Sequence, residues 1–181
     1  MAALPPLIPR IGCVILLSTD DGSRLYSKYY SPRFTAPSGP SSPDTQALRL
    51  SFEKALHKRT RGHKSEPGVS NVEGVTTVHK TMGDVKVFVG GPQGESELVL
   101  SYALDSFCDA LQAILTQVDR QTILHNLELL LLLLDECIDA GMILESDPRL
   151  LADRVLMRGA GGAKEDLGDM TLGQAFNQVV W

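Results

Sequence analysis

The stretch Gln121–Pro148 reads QTILHNLELLLLLLDECIDAGMILESDP. Six consecutive leucines, Leu129 to Leu134, leave no polar face for more than a full turn. A helix that is apolar all round is enclosed by protein or sits in lipid. A lipid span takes about 20 apolar residues, whereas Glu128 and Asp135 close this run after six. The stretch therefore predicts a central core helix, with Ile123, Leu124, Leu127 and Ile138 extending its apolar contacts. Either the rest of the chain covers it or another chain does.

Ala140-Gly141 is a stop signal for that helix, because glycine takes the left-handed backbone position at low steric cost. Asp147 then suits an N-cap and Pro148 the first position of a next helix. That helix is predicted to run through Leu150, Leu151, Val155 and Leu156 and to stop at Gly159.

Upstream, Ile11–Thr19 (IGCVILLST) has the β-branched content of a buried strand. Asp20-Asp21-Gly22-Ser23 is a hairpin turn signal. Arg24–Tyr30 alternates, with Leu25, Ser27 and Tyr29 on one face, as a strand at or near an edge does. Ser31–Asp44 holds four prolines, which deny it helix and central strand and predict a loop. Its Ser31-Pro32 and Ser42-Pro43 pairs have the form of phosphorylation sites, although loops of this composition also contain such pairs by chance. Thr45–Arg61 predicts an amphipathic helix with Leu48, Phe52, Ala55 and Leu56 on one side. Its basic end (Lys54, Lys58, Arg59, Arg61 and Lys64) fits either a helix C-terminus, which favours cations, or contact with an acidic partner or anionic membrane. Strands follow at Val69–Val72, Val75–Lys80 and Val85–Gly90, then a long helix over Glu95–Val118. Hairpin-length connections cannot join parallel strands, so the order β-β-α-β-β-β-α-α-α predicts an α+β domain on an antiparallel sheet.

A chain of 181 residues fits one domain with some tail to spare. A formal net charge of −5 argues against nucleic acid. No signal segment precedes the domain and no span crosses it, which points to the cytoplasm. Cys13, Cys108 and Cys137 lie far apart in apolar surroundings and read as reduced core thiols.

Signs of catalysis are sparse. Gly90-Gly91-Pro92-Gln93-Gly94 precedes a helix, as a phosphate loop does, but lacks the Gly-Lys-Ser/Thr ending. His57, His63, His79 and His125 have no ligand spacing. Asp135 and Asp139 are four apart and share a helix face, with no third ligand in view. The residues predict a non-enzyme.

Lys28-Tyr29-Tyr30, Phe52-Glu53-Lys54, Glu73-Gly74 and the run Asp135-Glu136-x-x-Asp139-x-Gly141-x-Ile143-Leu144-Glu145-Ser146-Asp147-Pro148, followed by Arg158-Gly159, resemble the coatomer zeta family. The sigma chains of clathrin adaptors are similar, with a comparable Asp-Glu turn but without the Glu-Ser-Asp-Pro continuation. The resemblance implies a longin-like fold: a five-stranded antiparallel sheet with one helix on one face and two on the other. A domain over 11–158 follows, preceded by a 1–10 extension and interrupted by the 31–44 loop. A Gly-rich linker and tail occupy 159–181, with an additional C-terminal helix expected at Thr171–Trp181.

The implied role is a non-catalytic coat subunit bound directly and obligately to the large gamma subunit. Other coatomer subunits would surround it, and Arf GTPase and membrane would be met indirectly. The implied place is the cytosolic face of Golgi membranes and coated vesicles, in retrograde and intra-Golgi transport. No cofactor, metal or small-molecule substrate is implied. The motif positions Asp139, Gly141, Glu145, Asp147 and Arg158 become candidate partner contacts. The 31–44 loop and the tail depart from the family pattern.

Three readings compete with this one. A clathrin-adaptor sigma chain does similar work on another coat. A SNARE-type longin protein needs a heptad segment and an anchor, and neither follows Gly159. An enzyme needs a pocket of converging polar groups. Fully burying a Leu or Ile contributes roughly 1.5–3 kcal/mol. A domain so rich in aliphatic residues has an incentive to hide its surplus in an obligate interface.

Overall fold

The computed structural model describes residues 9–35, 44–62 and 67–157. The segments 1–8, 36–43 and 63–66, Arg158, and the 159–181 tail with its expected helix at Thr171–Trp181 lie outside the described residues.

Strand β1 (Cys13–Ser18) turns through Asp20–Ser23 into β2 (Arg24–Tyr29). A one-turn helix, α1 (Pro32–Thr35), and the longer α2 (Thr45–Thr60) come next. Strands β3 (Gly68–Val72), β4 (Val75–Met82) and β5 (Val85–Gly91) precede α3 (Glu97–Ile114). The chain continues through α4 (Arg120–His125), α5 (Leu127–Cys137), the two-residue strands β6 (Ile138–Asp139) and β7 (Met142–Ile143), and α6 (Pro148–Val155).

The sheet has the order β2-β1-β5-β4-β3 and is antiparallel throughout. Successive side chains of a strand point to opposite faces, so each strand feeds two cores. Cys13, Ile15, Leu17, Val75 and Phe88 pack with Phe34 of α1 and Phe52 and Leu56 of α2. Val14, Leu16, Val78, Val87 and Val89 pack with Leu104, Phe107 and Leu111 of α3, Leu130, Leu133 and Leu134 of α5, and Leu151 and Val155 of α6. This is the expected five-stranded sheet with helices on both faces. The central β1 and β5 are buried along their whole length, and β2 lies at an edge as its alternation predicts.

Three expectations need correction, and a fourth, left open between cover by this chain and cover by another, is narrowed. The expected leucine helix is two helices, because Asn126 leaves helical geometry (φ −119, ψ 39) and its side-chain amide donates to the Thr122 carbonyl at 2.8 Å. Asn side chains compete with the backbone in this way. Nor is the leucine run enclosed by its own chain: Leu131 and Leu132 are each 40% exposed and Leu124 49%. The helix ends at Cys137, so Ile138 and Asp139 belong to β6, and Asp139 shares no helix face with Asp135. Finally, the Pro-rich 31–44 segment begins with helix α1, since proline suits the first helical position and burial of Phe34 anchors the turn.

Candidate partner-binding surface

The residues weighed for catalysis have other surroundings. Burial pushes the thiols of Cys13, Cys108 and Cys137 up to about 12, which leaves no thiolate nucleophile near neutral pH. Among the described residues no group of three or more His, Cys, Asp or Glu side chains is placed to hold a metal ion. The glycine-rich segment before α3 carries its own anion: the Glu95 carboxylate accepts from Arg10 N at 2.9 Å and Ser96 N at 3.1 Å. His79 is buried against the Phe88 ring, and the His125 ring meets the Gln121 carbonyl.

The motif residues instead meet one another. Lys28, Tyr29 and Tyr30 alternate across the edge of the sheet. Tyr29 turns to α2, where its hydroxyl donates to Glu53 at 2.6 Å. Glu53 also receives Arg24 Nε at 2.8 Å, so both ends of β2 share one buried carboxylate of α2. Lys28 turns to the opposite face and pairs with Asp135 of α5. The Tyr30 hydroxyl, on that face too, donates to the Ile138 carbonyl at 3.3 Å. Desolvation, more than any neighbouring charge, raises both tyrosine hydroxyls above the ordinary phenol range.

The β6–β7 hairpin closes the same corner. Its two turn residues, Ala140 and Gly141, both have positive φ (48 and 81), as a two-residue hairpin turn of the favoured hand requires. The Gly141 carbonyl accepts Ile11 N at 2.7 Å, and a Cβ on Gly141 would stand 2.6 Å from the Ile11 carbonyl oxygen. Beyond it, Glu145 accepts from Ser146 N and Asp147 N at 2.8 and 3.1 Å, bonds that hold its carboxyl below the usual range. Asp147 caps α6 through Arg149 N at 2.8 Å, as its place before Pro148 predicts. Arg154 reaches back to Glu136 and Glu145. Three of the candidate contacts, Gly141, Glu145 and Asp147, therefore have structural employment within the chain. Asp139 is exposed, and Arg158 lies outside the described residues.

Among the charged groups at its surface this scaffold also exposes large apolar side chains. Leu124 of α4 and Leu131 and Leu132 of α5 are exposed, the latter two between exposed Glu128 and Asp135. On α3, Leu98 is 82% and Tyr102 58% exposed, and the Tyr102 hydroxyl lies 3.0 Å from Ser146 Oγ beside α6. Exposed Leu144 and Leu150 flank that contact in sequence. Leu98 and Tyr102 escape a reading of the sequence that follows the buried stripe of α3. Their signal is their position off that stripe, on the face that also carries Asp105 and Asp109. No described helix is long and apolar enough to cross a membrane.

Residues 12–161 match the family described as clathrin adaptor complex small chain. The chain belongs to that family. Its relatives include zeta subunits of coatomer. Coatomer subunit zeta-1 of Homo sapiens is 34% identical over 169 residues, covering 92% of this chain and 89% of that protein. Coatomer subunit zeta-3 of Arabidopsis thaliana is 37% identical over 165 residues, covering 90% and 86%. A chain of a homology model of the full-length AP-3 complex in a stretched open conformation superposes with a TM-score of 0.55 at 19% identity, covering 80% of this chain and 90% of that one. That likeness confirms the adaptor small-chain fold, and the zeta relatives favour the coatomer branch over a sigma chain.

Proposed function

We propose that this adaptor small chain works as the zeta-type subunit of a coatomer coat, a non-catalytic block completed by docking to a large gamma-type subunit. The observation that carries the proposal is the exposure of Leu124, Leu131 and Leu132 on α4 and α5, apolar surface that a folded chain gains by covering. Obligate interfaces have this character. Asp139, which is exposed, and Arg158 remain candidate contacts for that partner, while Gly141, Glu145 and Asp147 hold the corner in shape. In this reading other coatomer subunits complete the coat, and Arf GTPase recruits it to the cytosolic face of Golgi membranes for retrograde and intra-Golgi transport.

The test is purification of the tagged full chain from cells, with the copurifying large chain identified by mass spectrometry. Recovery of a gamma-type coatomer chain, abolished by Leu131→Lys/Leu132→Lys, is expected. Recovery of a clathrin-adaptor large chain, or of no large chain, would overturn the proposal.

A further inference from the structure

Helix α2 carries more positive charge than its fold uses. Arg49, Lys54, Lys58, Arg59 and the C-cap residue Arg61 stand against one carboxylate, Glu53, in a chain of net charge −5. Glu53 is already taken by Arg24 and Tyr29. Arg49 donates to the Phe34 carbonyl and lies over the Tyr29 ring. Lys54, Lys58, Arg59 and Arg61 are exposed, and none makes an ion pair with a described residue. The helix dipole favours cations only in the last turn, which leaves Lys54 unexplained, and the Thr60 carbonyl there already receives the buried Lys86 ammonium at 2.7 Å. Lys54 and Lys58, one turn apart, repel each other.

Two of these cations border an open cleft of about 610 Å³ between α2 and β3, walled by Ala55, Lys58 and Arg59 on one side and by Asn71, Val72 and Glu73 on the other. The Glu73 carboxylate is bound by Arg33 at 2.7 Å, so Lys58 and Arg59 set the sign of the cleft. Strand β3 is the outermost strand of the sheet. Its backbone is paired with β4 on one side, so alternate N–H and C=O groups face outward. Edge strands are commonly blunted by charge or proline, yet GVSNV contains neither, and Val69 is 52% exposed.

We propose that the β3 edge and the α2 wall form a docking groove for an extended acidic segment of a partner protein. The segment adds to the sheet beside β3 as a further strand. Carboxylates two residues apart lie on one face of such a strand and meet Lys58 and Arg59. An anionic membrane fits less well, because the cations line a cleft rather than a flat face, and Leu50 is the one large apolar side chain of α2 that is strongly exposed.

The test uses the full chain and a fluorescein-labelled decapeptide of alternating Glu and Thr, read by anisotropy and by amide hydrogen exchange. Binding is expected, with slowed exchange in Gly68–Val72 and a loss of affinity of about tenfold or more in the Lys58→Glu/Arg59→Glu variant, whose surface changes leave the core intact. A backbone N-methylated peptide, which cannot pair with a strand, is expected to bind no better than an alternating Lys and Thr control. Failure of the acidic peptide to bind would overturn the proposal. So would equal binding by the double variant, equal binding of the N-methylated peptide, or capture of phosphatidylserine vesicles in place of peptide.

Discussion

The Tyr29 hydroxyl and the Glu53 carboxylate, 2.6 Å apart, tie the edge strand β2 to helix α2 from inside the core. Glu53 is 3% exposed, so its charge is affordable only because Tyr29 and Arg24 satisfy it together. Tyr29→Phe removes one donor and leaves the carboxylate short of a partner. A hydrogen bond to a charged group is worth about 1.5–3 kcal/mol, and a loss of that size is expected in urea denaturation midpoints. An unchanged midpoint would show that the contact contributes nothing.

Three carboxylates titrate below their usual range in the folded chain. Backbone N–H donors are the first cause in each: Ser23 for Asp21, Thr122 for Asp119, and Asp147 with Ser146 for Glu145. A depressed folded pKa stabilises the fold above the unfolded value and loses that contribution as pH falls through the folded one. Stability is therefore expected to decline from about pH 4.5, near the ordinary value for Glu145, down to about pH 2, where Asp21 titrates. Urea melts across this interval test the sign. Asp21→Asn and Glu145→Gln should flatten the slope, and a chain that gains stability on acidification would contradict the assignment.

All three cysteines are buried, with thiols raised to about 12. Native protein is expected to resist Ellman's reagent at pH 8, and full reaction should appear with unfolding. Prompt labelling of the native chain would mean that one of the cores opens readily.

Gly141 joins the corner hairpin to the start of the domain. Its φ of +81 and the 2.6 Å approach of the Ile11 carbonyl exclude a side chain on two separate grounds. Gly141→Ala is expected to cost about 2 kcal/mol or more, from backbone strain and the displaced Ile11 bond. Gly62, at φ +96 with open space around it, provides a control in which only the strain acts. Equal losses of melting temperature at the two positions would remove the steric argument.

Much of this corner is legible in the sequence. Asp147-Pro148 announces a cap and a helix start, and Asp-Gly at 21–22 announces the first hairpin, because both act through adjacent backbone. The β-branched run of β1 likewise fixes a buried strand. Long-range partners are another matter. Lys28, Tyr29 and Tyr30 are visible as a motif, but nothing local shows that Glu53, Asp135 and Ile138 are what they meet. The break at Asn126 is hidden because its neighbours are strong helix formers, and the amide–carbonyl contact that ends α4 is a choice between two local structures of similar cost. The anchor of α1 is hidden for the opposite reason: four prolines outweigh a single Phe34 until the core that receives it is known.

The leucine run poses the sharpest contrast, since neighbouring residues of one type face different surroundings. Leu133 and Leu134 are fully buried, while Leu131 and Leu132 are each 40% exposed. Leu133→Ala is expected to destabilise the chain by about 2–5 kcal/mol, the range for a leucine removed from a packed core. Leu131→Lys or Leu132→Lys should change stability by about 0.5 kcal/mol or less, as surface substitutions do. The outer pair should instead abolish recovery of the large coat subunit and reduce the binding of hydrophobic dyes by the isolated chain. Thermal melts and copurification read the two effects separately. If the lysine variants unfold the chain, the outer leucines serve its own core, and the case for a covering partner at α4–α5 is lost.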